Sequence, residues 1–181
     1  MSKKTPSLDP HSRLALHPKR TRSHSPIDEM SSMETVKIKE ILPYVGVDQV
    51  RFGMSPTEVA EVWGEPHSRS MNFLKQYVEY RGNVSTTYSS EHQLIEIGLS
   101  KRCTEARIKD IQIFLPPKSS RLTELLNLDK EAYEDVGIIV FNKLGISVTG
   151  FDHVDDDDVA ISVFSRGHWD EDLKGMRAYR R

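Results

Sequence analysis

The chain has 181 residues, 29% of them charged and 37% apolar, and 25 basic against 27 acidic side chains give a formal charge of −2. That length suits one domain or two very small ones, and no apolar run approaches the roughly 18 residues that a membrane-spanning helix needs. Cys103 is the only cysteine, which excludes an internal disulfide and any zinc site built on two or more thiolates.

Residues 1–32 stand apart. They hold four of the nine prolines and three of the seven histidines. Lys3, Lys4, Arg13, Lys19, Arg20 and Arg22 oppose only Asp9, Asp28 and Glu29, a net +3 that leaves −5 on residues 33–181. Their longest apolar stretch is Leu14-Ala15-Leu16. That buries too little surface to offset backbone ordering, so the segment is expected to be a disordered basic leader ahead of one domain over 33–181. It lacks the apolar core of about 7–15 residues that marks a secretory signal, so a cytoplasmic location is expected. Lys19-Arg20-Thr21-Arg22 is too sparse, and too poor in interleaved aromatics, to point to nucleic acid.

The clearest local signal runs from Phe52 to Pro66. Ser55 is placed to N-cap a helix and Glu58 to complete a capping box. Pro56 suits the first helical position, where its missing N–H costs nothing. Val59, Val62 and Trp63 fall on one face at helical spacing. Gly64 and Pro66 end the helix. Alternating strands follow: Tyr77 to Arg81, a turn at Gly82-Asn83, Val84 to Tyr88, a turn over Ser89 to His92, and Gln93 to Leu99. In the last of these Ile95, Ile97 and Leu99 share a side opposite Leu94, Glu96 and Gly98. Ile108 to Leu115 reads as one more strand with Ile111, Ile113 and Leu115 inward. Short connections favour an antiparallel meander.

Pro116-Pro117 closes that unit. Ser120 is placed to cap a second helix carrying Leu122, Leu125 and Leu126. Strands are expected over Gly137–Phe141, Ile146–Gly150 and Val159–Phe164. The sequence therefore implies an α+β fold with helices packed on one face of a mainly antiparallel sheet. The order helix-then-strands occurs twice, which admits two similar halves over about 46–116 and 117–172.

Asp152-His153-Val154-Asp155-Asp156-Asp157-Asp158 is the most unusual local composition. An EF-hand counted from Asp152 would need Gly at the sixth place and Glu at the twelfth; Asp157 and Val163 stand there, so that motif fails. Consecutive aspartates diverge, which disfavours paired-carboxylate catalysis. Clustered charge does steer association with a basic partner. Trp169, followed by Asp170, Glu171 and Asp172, suits either a core edge or a binding hot spot. Lys101 and Arg102 beside Cys103 would lower its pKa, but no motif ties it to a histidine. His67, His92, His153 and His168 lack metal-ligand spacing, and there is no glycine-rich phosphate loop.

Val50-Arg51-Phe52-Gly53-Met54-Ser55-Pro56-Thr57-Glu58-Val59, with Trp63-Gly64-Glu65-Pro66, resembles the G-M-[ST]-x-x-[EQ]-V…G-x-P pattern. That pattern belongs to small helix-plus-antiparallel-sheet bacterial proteins, including outer-membrane assembly lipoproteins and the β-lactamase-inhibitor fold. A signal peptide with a lipidated cysteine is missing from this sequence. Ile139 to Trp169 resembles the last strands of small bacterial proteins, some of which look like immunity proteins of secreted-toxin systems. The resemblance implies a soluble protein-binding protein without cofactor, metal or catalytic residues. Its partner would be a cognate toxin whose active site it occludes. Asp152, Asp155, Asp156, Asp157, Asp158 and Trp169 are the expected partner-binding residues. The alternative is a metal-dependent hydrolase whose site assembles from scattered His and Asp residues.

Overall fold

A computed structural model describes residues 35–151 and 159–180. Its strands are β1 (Glu40–Leu42), β2 (Gly46–Val47), β3 (Val50–Arg51), β4 (Ser68–Met71), β5 (Tyr77–Arg81), β6 (Val84–Tyr88), β7 (Leu94–Ser100), β8 (Arg107–Ile108), β9 (Ile111–Gln112), β10 (Ala132–Asp135), β11 (Ile138–Phe141), β12 (Ile146–Thr149), β13 (Ala160–Phe164) and β14 (Arg177–Ala178). Two helices, α1 (Pro56–Trp63) and α2 (Lys118–Leu128), interrupt them. This is an α+β architecture dominated by two sheets. The smaller runs β3-β2-β1-β8-β9, and the larger runs β14-β10-β11-β12-β13-β7-β6-β5-β4. Every pairing in the larger sheet is antiparallel. In the smaller one only β1 and β8 run parallel.

The core follows from register. Ile97 lies opposite Val163 and Leu99 opposite Ile161; those meet Ile146 and Val148, which meet Phe141 and Ile139. All eight are buried, so one face of the larger sheet is a continuous apolar floor. Ile41, Val47, Val50, Ile108 and Ile113 of the smaller sheet and its flanks, Val59 of α1, and Leu122 and Leu125 of α2 join them in a single cluster. Each such aliphatic contributes about 1.5–3 kcal/mol by leaving water.

The α1 boundary forms as its sequence predicts. Ser55 Oγ accepts from the Glu58 N–H, and Glu58 Oε2 accepts from the Ser55 N–H at 2.8 Å. Val59 is the buried residue of this helix, whereas Val62 is exposed, so the apolar stripe is narrower than its spacing implies. Other expectations are corrected. Residues 108–115 form not one strand but a tight hairpin, β8–β9, because Lys109 takes a left-handed conformation; Leu115 is consequently exposed. Ser120 lies inside α2, which starts after Pro117 without a side-chain cap. A bulge between Thr87 and Tyr88 pairs Tyr88 with Leu94 and Thr87 with Glu96. The extra residue, Ile95, is skipped, and Leu94 turns into the core.

A recurring order is visible: hairpin β2–β3, helix α1, strands β4–β7; then hairpin β8–β9, helix α2, strands β10–β13. Gly46 at the first hairpin has φ 147°, and a Cβ there would stand 2.0 Å from the Val50 carbonyl oxygen, so that position requires glycine. Replacing the α1 cap, Ser55→Ala, should lower unfolding free energy by about 1 kcal/mol. Urea denaturation followed by circular dichroism measures this, with the m-value unchanged.

Candidate functional site

Strand β5 carries Tyr77, Glu79 and Arg81 toward the core and turns Tyr80 outward. This reverses the usual economy of a strand, in which charge faces water. The charges are tolerated because each is fully partnered. Glu79 Oε2 accepts from Arg81 Nη2 at 2.8 Å and from the Tyr88 hydroxyl at 3.1 Å. Its Oε1 accepts from the Tyr77 hydroxyl at 3.2 Å and Arg69 Nε at 3.3 Å. Arg81 also donates to the Gly64 carbonyl at the end of α1 and to Thr86 Oγ1. Arg69, on β4, reaches Glu65 at 2.9 Å.

This network underlies a groove of about 290 Å³ between α1 and strands β4 and β5, lined by Pro56, Ala60, Glu61, Glu65, Arg69 and Glu79. A second hollow of about 250 Å³, lined by Val36, Trp63, His67 and Arg81, opens beside it. Burial alone would raise the carboxyl pKa of Glu79. The Arg81 guanidinium and the Tyr88 and Tyr77 hydroxyls outweigh it and hold the carboxyl below its ordinary value. Burial pushes the Tyr88 hydroxyl up to about 12. A carboxylate held ionised and already accepting four hydrogen bonds is poorly suited to proton transfer. The groove presents fixed charge rather than an acid–base pair.

A second cluster surrounds Trp169, which is half-buried after β13. Its ring lies 6.1 Å from Phe164 and 6.3 Å from His168. Phe164 meets Tyr44 edge-on at 6.0 Å, and the Arg166 guanidinium stacks 4.3 Å above the Tyr44 ring. The Tyr44 hydroxyl bonds Asn142 in the β11–β12 turn. His168 Nε2 lies 3.4 Å from Glu96 Oε2. Burial would raise the Glu96 pKa, but His168 and Ser162 override it and keep the carboxyl low. Trp169 Nε1 is buried with no hydrogen-bond partner among the described residues. Asp170, Glu171 and Asp172 are exposed at the rim.

Asp152, Asp155, Asp156, Asp157 and Asp158 lie outside the described residues, as does the basic segment 1–32. The residues flanking that acidic loop, Phe151 and Val159, sit where Thr149 pairs with Ala160. Trp169 follows the other end of β13, near the Ile146–Val163 pair. Strand β13 thus separates Trp169 from the loop's anchors by roughly 16 Å, at about 3.3 Å per residue. Cys103 is corrected as well. It is buried under Asn83, and burial pushes its thiol up to about 11 despite Lys101 and Arg102. No group of three or more His, Cys, Asp or Glu side chains among the described residues is placed to hold a metal ion.

Glu79, Arg81, Arg69, Tyr44 and Arg166 did not emerge as candidates from sequence. The signal for the first two was the alternation Tyr77-x-Glu79-x-Arg81 beside a tyrosine-bearing strand.

Glu79→Gln leaves Arg81 buried without its counter-charge and should cost about 3–5 kcal/mol at pH 7. Because folding lowers the Glu79 pKa, its contribution is complete above the unfolded value of about 4.3 and is lost as pH falls through the folded value. Urea titrations at descending pH should show the wild type losing more stability across that acidic window than Glu79→Gln.

No family model matches the chain, and neither a curated protein nor a solved structure matches it.

Proposed function

We propose that the chain is a protein-binding protein that grips a basic partner through the Trp169 corner. The observation that carries this reading is the composition and order of that corner. Trp, Tyr and Arg are the side chains most enriched among interface hot spots, and here Tyr44, Arg166 and Trp169 are gathered around Phe164. Stacking and the Tyr44–Asn142 bond already restrict them, so little rotamer freedom remains to be lost on binding. The exposed rim of Asp170, Glu171 and Asp172 supplies a negative border, which favours encounter with positive surfaces.

The specific form proposed is an immunity protein that neutralises a secreted toxin by covering its active site. In that reading both helices back one face of the larger sheet, the two runs of hairpin, helix and strands are similar halves, and the Asp155–Asp158 loop adds long-range attraction. The hydrolase alternative gains no support from the groove, where Glu79 is committed to Arg81, Arg69 and two tyrosines.

The test is titration calorimetry and stopped-flow association with a toxin encoded beside this chain's gene. Trp169→Ala should weaken the complex by at least about tenfold, mainly through faster dissociation. Replacing Asp155, Asp156, Asp157 and Asp158 by Asn should slow association and flatten its salt dependence. Unchanged affinity in Trp169→Ala would remove the corner from the interface. Failure of the chain to protect against that toxin would remove the immunity reading.

A further inference from the structure

The larger sheet ends differently on its two sides. At one end β10 is covered by the chain's own β14, with Tyr133 opposite Ala178 and Glu134 opposite Arg177, an ion pair of 2.9 Å closing the edge. At the other end β4 pairs only with β5 among the described residues. All four β4 residues are exposed. Met71, the last of them, is 60% exposed, and the hairpin tip beyond presents Phe73 at 92% and Leu74 at 61% exposure. Large apolar side chains this open, next to an unpaired strand edge, mark an association surface rather than a solvated turn.

The edge is also polar along its length. The Asn72 N–H donates to the Gln76 carbonyl, which fixes the phase of the hairpin. Ser70 and Ser68 therefore face β5, and the backbone N–H and C=O of Arg69 and Met71 point outward. Beyond the start of β4 stand Glu61 and Glu65, both exposed; at the tip stands Lys75. Neither Glu61 nor Lys75 has an ion-pair partner among the described residues. One end of the edge carries Glu61 together with Glu65, the latter ion-paired to Arg69, and the other is apolar and basic.

We infer that β4 pairs antiparallel with β4 of a second copy of this chain, about a two-fold axis through Ser70. In that register Arg69 of each copy lies opposite Met71 of the other, and each couple exchanges both of its outward backbone hydrogen bonds. Antiparallel pairing brings opposite ends together. The Phe73-Leu74-Lys75 tip of one copy then runs past the α1 end of the other, where Lys75 meets Glu61 and Glu65. The two-fold makes this match twice, as an isologous interface requires. Parallel pairing would instead set tip beside tip and acid beside acid. The inference concerns the β4 edge and is independent of the Trp169 corner, so either can fail alone.

Sedimentation velocity of the full chain, from about 1 to 500 µM, tests it. A concentration-dependent dimer is expected. Met71→Pro removes an outward N–H while leaving the β4–β5 ladder intact, and should weaken dimerisation by at least about tenfold. Should that variant fail to fold, the surface change Lys75→Glu should weaken the dimer and the added change Glu61→Lys should restore it. A chain that stays monomeric throughout overturns the inference. So does a dimer whose dissociation constant is indifferent to both Met71→Pro and Lys75→Glu, because its contact would then lie elsewhere.

Discussion

The structure depends on the ladder between β7 and β13. Neighbouring strands in the two four-strand meanders follow one another in the chain, with at most ten residues between them, and such contacts are local in sequence. The β7–β13 pairing is not. It joins Ser100, Leu99, Gly98, Ile97 and Glu96 to residues 60 to 68 positions later, and it converts two meanders into one apolar floor. Ile97, Leu99, Ile161 and Val163 face that floor together, so a one-residue slip would turn all of them to the opposite side. Register at this seam is therefore set by the unbroken aliphatic row on one face, while the opposite face carries Glu96, Gly98 and Ser162 with a single large buried side chain, Phe164, at its end.

Set into that floor is charge. Glu79 lies between Arg69 and Thr86 on the neighbouring strands and Arg81 lies opposite Val84, and the cost of removing the two charges from water is offset only by complete hydrogen bonding. The same network draws together three separate pieces: the Gly64 carbonyl at the end of α1, Arg69 on β4 and Thr86 on β6. A buried ion pair is weak evidence for added stability. Here it specifies where α1 ends relative to the sheet, and thereby the shape of the groove above it.

What was legible in the sequence was whatever local chemistry determines. The α1 cap needed only Ser55, Pro56 and Glu58; the strands β5 to β7 needed only alternation and turn residues. What was not legible arose from tertiary choices. Alternation at residues 77–81 does not say which face is inward, and Glu79 and Arg81 are buried because Tyr88 and Arg69 converge on Glu79 from the flanking strands and Tyr77 joins them from β5 itself. The skipped Ile95 could not be anticipated, since a bulge is decided by the partner strand. Nor could the β8–β9 hairpin, where Lys109 adopts a conformation that its type rarely takes. Trp169 was visible as a candidate, but Tyr44 joins it across more than a hundred residues of chain, and Arg166, only three positions away, is drawn in by stacking on the Tyr44 ring.

The lone thiol has a practical side. Cys103 rests under the β5–β6 turn, where the Asn83 amide nitrogen lies 3.1 Å from its sulfur and also bonds the Val36 carbonyl. Shielded and reluctant to ionise, it reacts with an alkylating reagent only when this lid lifts. Its labelling rate is a native clock for local opening at the point where the segment before β1 is fastened to the sheet, readable by mass spectrometry without introducing a probe.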